Sequence, residues 1–160
     1  MNEEMAAHAT MPDAELRPSP RWLIFSADSG YERPQVMRVQ LSNTDNQRPV
    51  VFHVRAKDPR VPRVHPKAGW IEPGGAVDVD VFVPAADDWP RDPVSFAGQR
   101  HRVLVESAHP PLLVDRPSDP RVAADYAKEL FRSARAVSTM YTFLSLWLPK
   151  LIDSSAADCC

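Results

Sequence analysis

The chain has 160 residues, with 19 Lys and Arg against 21 Asp and Glu and a formal net charge of −2. That length suits one ordinary domain with tails and is too short for two comfortable ones. The balanced charge excludes a global field for nucleic acid or an anionic membrane, so any basic patch has to be local.

Seventeen prolines against five glycines argue against a helical bundle, because proline breaks helices and suits strand ends and turns. Residues 1–17 are polar and patternless and read as a disordered lead. Their acidic start has no apolar run of the kind a secretory signal needs, which makes the cytosol the default compartment. The first strand-like run is Trp22 to Phe25. In the next, Met37, Val39 and Leu41 face inward while Arg38 and Gln40 face outward. Ser42 to Pro49 is a dense turn signal. From Val50 to Lys57, Phe52, Val54 and Ala56 alternate with His53, Arg55 and Lys57, so one face is apolar and the other basic. After Pro73-Gly74-Gly75, Val77, Val79, Val81 and Val83 form another alternating run. Trp89, followed by Pro90, is placed to plug an end of the fold, and in His101 to Ser107 the inward pair is Val103 and Val105. Period-two alternation between Pro/Gly turns predicts an antiparallel, immunoglobulin-like β-sandwich of about seven strands over residues 18–110.

The chain then changes character. Residues 111–119 are a proline-marked linker, and Ser118 or Asp119 is placed to cap a helix with Pro120 in its first turn. Val122, Tyr126, Leu130, Phe131, Ala134 and Val137 form an apolar stripe at helical spacing. We therefore expect a helical, apolar tail over residues 120–152, lying outside the sandwich. Its second half buries Met140, Phe143, Leu144 and Trp147 against a lipid interface or a partner. Pro149 and Lys150 interrupt that stretch, which suits an interfacial helix better than a spanning one. Residues 153–160 read as a flexible end carrying Cys159 and Cys160. Neighbouring cysteines cannot staple a core, which fits a reducing compartment. Unmodified and lipidated thiols are both open readings.

Phe52-His53-Val54-Arg55, Pro59, Val64-His65-Pro66 and Gly69-Trp70-Ile71-Glu72-Pro73-Gly74 follow one another without a gap. The run resembles the major sperm protein domain, most closely the form found in VAMP-associated proteins. Val39 to Val50 and Arg100 to Ser107 are similar to two further strands of that family. The resemblance implies an MSP-type sandwich and a non-enzymatic adaptor. An outward sheet face of such a domain grips short acidic peptides with paired phenylalanines, known as FFAT motifs. The family's strand lysines correspond to His53 and Arg55, its following Thr-Thr to Ala56-Lys57, and its later Lys-x-Met to Arg102-x-Leu104. The peptide-binding residues implied are His53, Arg55, Lys57, Arg100, Arg102 and Leu104. The loss of the Thr hydroxyls and the exchange of Lys for Arg put peptide selectivity in question, since a planar fork holds a carboxylate differently from a point charge. The resemblance further implies the cytosolic face of the endoplasmic reticulum and, as an alternative function, a structural protein that self-assembles into homo-oligomers.

The same basic row also suits a solvated edge-strand face, which carries Lys and Arg to discourage pairing. The five histidines are scattered, with none at metal-ligand spacing. No nucleophile elbow, phosphate loop or dinucleotide turn occurs, so neither an enzyme nor a cofactor is expected.

Overall fold

The computed structural model describes residues 9–133 and 139–151. Two sheets face each other. The first has four strands in the order β1 (Arg17–Ser19), β3 (Gln35–Ser42), β7 (Ala76–Val83), β5 (Arg63–His65). The second has five, in the order β2 (Trp22–Ile24), β9 (Met140–Leu148), β8 (Gln99–Ala108), β4 (Val50–Ala56), β6 (Ala68–Ile71). All pairings are antiparallel except that of β2 with β9.

The alternation seen in the sequence is what fills the space between the sheets. Val39 and Leu41 of β3 and Val79, Val81 and Val83 of β7 meet Phe52 and Val54 of β4 and Val103 and Val105 of β8 in one buried cluster. Gly69 is required in β6 because a Cβ there would come 2.9 Å from Cε1 of the fully buried Phe52. Gly74 turns the chain into β7 with a φ of 66°, a left-handed conformation that costs glycine little. At one end of the sandwich, Trp89 is buried between Tyr31 and Phe96, with ring centres 4.8 and 5.2 Å away, and its indole N–H donates to the Pro84 carbonyl. Trp89 thus plugs that end.

Part of the lead belongs to the body. Thr10 forms a bridge with His109, and Leu16, next to β1, is a buried member of the main core. Residues 1–8 lie outside the described residues.

The tail departs most from expectation. Helix α1 (Pro93–Phe96) is a single turn, and α2 (Pro120–Arg132) is, among the described residues, the one helix in the expected tail. Asp119 caps α2, its carboxylate accepting from the Arg121 N–H at 2.9 Å. The helix does not stand apart. Ala123 and Ala127 are buried on the outer face of the five-stranded sheet against Val51, Ala68, Trp70 and Ala108, with Tyr126, Leu130 and Phe131 packed alongside. Val122, expected within the apolar stripe, is exposed, while Ala134, Val137, Cys159 and Cys160 lie outside the described residues.

Met140 to Leu148 is a strand, not a helix. The stretch satisfies both periods: Met140, Phe143, Leu144 and Trp147 at helical spacing, and Thr142, Leu144, Leu146 and Leu148 at every second residue. The second pattern wins because β9 completes the backbone ladder of β8 along its whole length, from Gln99–Leu148 to Ser107–Met140. It also supplies Leu144, Leu146 and Leu148 to the main core. Leu144 is therefore a core residue and not a membrane or partner contact. Phe143 and Trp147 point outward, and Met140 is half-buried at the strand's start.

Candidate functional site: the outer face of the five-stranded sheet

Strand register sets the outer face column by column. On β4 it shows His53 and Arg55, with Lys57 just beyond the strand end. On β8 it shows Glu106, Leu104, Arg102 and Arg100. On β9 it shows Tyr141, Phe143, Ser145 and Trp147, and on β2 Trp22 and Ile24. Arg55 lies opposite Leu104, Leu104 opposite Phe143, and Trp147 opposite Arg100. Five of the six residues expected to bind peptide thus share one open surface.

His53 is the exception. It sits on the same face, but α2 covers it, and its ring stacks on Phe131 at 6.2 Å. Its Nδ1 lies 3.3 Å from Oε2 of Glu106, and Arg55 Nε forms an ion pair with the same oxygen at 3.1 Å. Burial holds the His53 imidazole below its ordinary pKa; Glu106 pushes the other way without reversing the direction. Arg55 is exposed yet tied down, because Glu106 would otherwise be a nearly buried carboxylate with only a neutral His beside it.

The open half is cationic and aromatic at once. The guanidinium of Arg100 lies 5.9 Å from the Trp22 ring centre and that of Arg102 5.5 Å from the Phe143 ring centre. Both distances are within the range in which a cation is held by a ring face. Among the described residues neither guanidinium has a carboxylate partner within ion-pair distance. Trp22 and Ile24 are 56% and 66% exposed, so this is an apolar surface in water. The two arginines also separate two recesses. One, about 240 Å³, lies between Arg21, Trp22, Phe143 and Ser145. The other, about 430 Å³, is lined by Lys57, Arg91 and Phe96 with His101. His101 stacks on Phe96 at 4.3 Å, and its Nε2 meets the Phe96 carbonyl at 3.1 Å, so that nitrogen carries the proton. Burial lowers the pKa of His101 as well, and the carbonyl bond only partly offsets it.

Arg21, Trp22, Ile24 and Arg91 were not marked by sequence reasoning. The alternation of Trp22 and Ile24 with Leu23 and Phe25 was the available signal, since one pair had to face water. That β2 lies parallel to β9, beside the arginines, is a long-range fact with no local trace. Among the described residues no group of three His, Cys, Asp or Glu side chains is placed to hold a metal ion. The arrangement can hold an anionic, partly apolar segment by charge and by ring contact.

The fold is an immunoglobulin-like sandwich of the MSP type, with two sheets and few helices. The model of the MSP (major sperm protein) domain matches residues 15–115, and the chain belongs to that family. It is a family of non-catalytic interaction and structural domains. Two solved structures from Caenorhabditis elegans share the fold. SSP-19, an MSP-domain protein like family member, is 19% identical with a TM-score of 0.53, over 82% of this chain and 99% of its own. WR4, an MSP family member, is 12% identical with a TM-score of 0.52, over 85% of this chain and 98% of its own. No curated protein matches the sequence.

Proposed function

We propose that the chain is a non-enzymatic adaptor whose open half-face binds short acidic peptides carrying aromatic anchors, of the FFAT type that the sequence resembles a receptor for. The observation that carries this reading is the pair Arg100–Trp22 and Arg102–Phe143: guanidiniums with no carboxylate partner among the described residues, lying over exposed rings. Guanidiniums without carboxylate partners attract an acidic flank, and the rings and Leu104 between them accept an aromatic side chain. Lys57 extends the cationic strip toward the larger recess. Titration of the full chain with a synthetic peptide of two phenylalanines in an acidic tract tests it, at several salt concentrations. Saturable binding that weakens steeply with salt is the expected result, because the charges are exposed.

On the same resemblance we propose the cytosolic face of the endoplasmic reticulum as the location of such an adaptor. Among the described residues no helix is long and apolar enough to cross a membrane. Of the tail residues expected to touch lipid, Phe143 and Trp147 are exposed, with Tyr141 beside them, and vesicle flotation tests that contact. The exposed strip of Trp22, Ile24 and Trp147 also suits contact with a second copy, the self-assembly reading. Concentration-dependent sedimentation without peptide would favour that alternative.

A further inference from the structure

Helix α2 covers the β4–β6 half of the face whose β8–β9–β2 half is open. Antiparallel neighbours such as β8 and β9 can be joined by a short turn, yet residues 109–139 intervene here, so the sandwich does not need α2 for its connectivity. The seat of α2 is made by apolar and ring contacts. Among the described residues, no hydrogen bond or ion pair joins residues 120–132 to the sheet; the hydrogen bonds of Asp119 and Ser133 and the Arg132–Glu129 pair are internal to the helix and its cap. Beneath it, the buried indole N–H of Trp70 has no hydrogen-bond partner among the described residues. Such a donor left unmade costs about 1–3 kcal/mol. The contacts that remain are apolar and aromatic, with Tyr126 on Trp70 at 6.0 Å and Phe131 on His53.

Charge works against the seat as well. Helix α2 carries Arg121, Lys128 and Arg132 against Asp125 and Glu129. Arg121 and Lys128 border a cleft of about 350 Å³ whose other wall carries Lys67 and His65. Basic side chains therefore face each other across the helix flank, with Asp125 as the single carboxylate in the cleft. Lys67 attracts carboxylates to this half too, and α2 answers it with two cations, Arg121 and Lys128, against one carboxylate, Asp125.

We infer that α2 is a displaceable internal ligand: its rings Tyr126 and Phe131 occupy the second half of the peptide face, and an acidic, aromatic segment of a partner takes their place. This rests on the peptide-binding reading above. A ligand shifts such an equilibrium only through its differential affinity for the open and closed states. The difference here is charge: incoming carboxylates meet Lys67, and the part of the Arg55 guanidinium beyond its Glu106 contact, where α2 presents Arg121 and Lys128. The main core lies on the other side of the sheet, so α2 can lift without opening it.

The test uses the full chain and the same diphenylalanine acidic peptide. Tyr126→Ala with Phe131→Ala removes the rings that hold α2 down. If α2 is closed in about nine molecules in ten, the variant binds about tenfold more tightly, because apparent affinity scales with the competent fraction. In the wild type, amide hydrogen exchange over residues 120–132 runs faster than over β8 and β9, and peptide accelerates it further. That measurement does not depend on the variant's folding. Wild-type binding with unchanged or weaker variant binding, or α2 exchange that peptide slows or leaves unchanged, overturns the displacement alone. Failure of both proteins to bind overturns the peptide reading and this inference together.

Discussion

The guanidinium of Arg102 lies 5.5 Å from the centre of the Phe143 ring, across the paired strands β8 and β9. The two side chains are solvent-facing, so their contact matters little to folding and much to what the face can hold. Arg102→Glu should weaken the acidic peptide about tenfold or more, equivalent to ~1.4 kcal/mol. Its denaturation midpoint should stay close to wild type, since surface changes usually move stability by about 0.5 kcal/mol or less. Calorimetric titration and urea unfolding check the two halves of this expectation. A variant that binds normally would place the peptide elsewhere.

Arg55 should behave differently, although it looks equivalent in sequence. Its Nε holds the nearly buried Glu106, which would be left facing a new carboxylate in Arg55→Asp. We expect a loss of about 1–3 kcal/mol, the usual cost of stranding a buried polar group. Urea unfolding at neutral pH measures it. Unchanged stability would mean that Glu106 finds water or His53 sufficient.

Neighbours on β9 should separate cleanly. Leu144→Ala should cost about 2–5 kcal/mol, as expected for a fully buried leucine. Phe143→Ala should cost at most about 1 kcal/mol, the range of an exposed cross-strand pair, while reducing peptide binding. Ending the chain at residue 133 should abolish cooperative unfolding altogether. It removes Leu144, Leu146 and Leu148 from the core and strips β8 and β2 of their shared partner. A truncated chain that still unfolds cooperatively would show β9 to be dispensable.

Acidification should destabilise the fold through His53 and His101. Burial lowers both below their ordinary value of 6.5. Below that pH the unfolded chain takes up protons that the folded chain refuses, so stability falls as pH drops from about 6.5 toward the folded-state values. Above it, both states are neutral and the effect disappears. Thermal midpoints from pH 7.5 to 5 should show this fall, and His101→Phe should flatten its share of it. An unchanged slope in that variant would assign the dependence to other groups.

Much of the fold was legible because its cause is local. Phe52 and Val54, Val79 to Val83, and Val103 with Val105 alternate, and a strand buried on one side permits no other arrangement. Asp119 before Pro120 marked the start of α2 for an equally local reason, since a carboxylate at that point satisfies a free N–H. Arg55, Lys57, Arg100, Arg102 and Leu104 could be set on one face because strand parity decides which way a side chain points.

What parity does not decide is the partner. Met140 to Leu148 satisfies a helical stripe and a strand alternation equally, and only the unpaired edge of β8 and the unfilled core beneath it select the strand. The same long-range pairing carries Trp22 to within 5.9 Å of Arg100, which lies far along the chain. Where α2 would dock was likewise unreadable, so His53 counted as an open cation when Phe131 in fact covers it. The residues by themselves determined the sandwich, its inward faces and a basic row. The tertiary structure decided which part of that row is open, because burial depends on what distant segments leave uncovered.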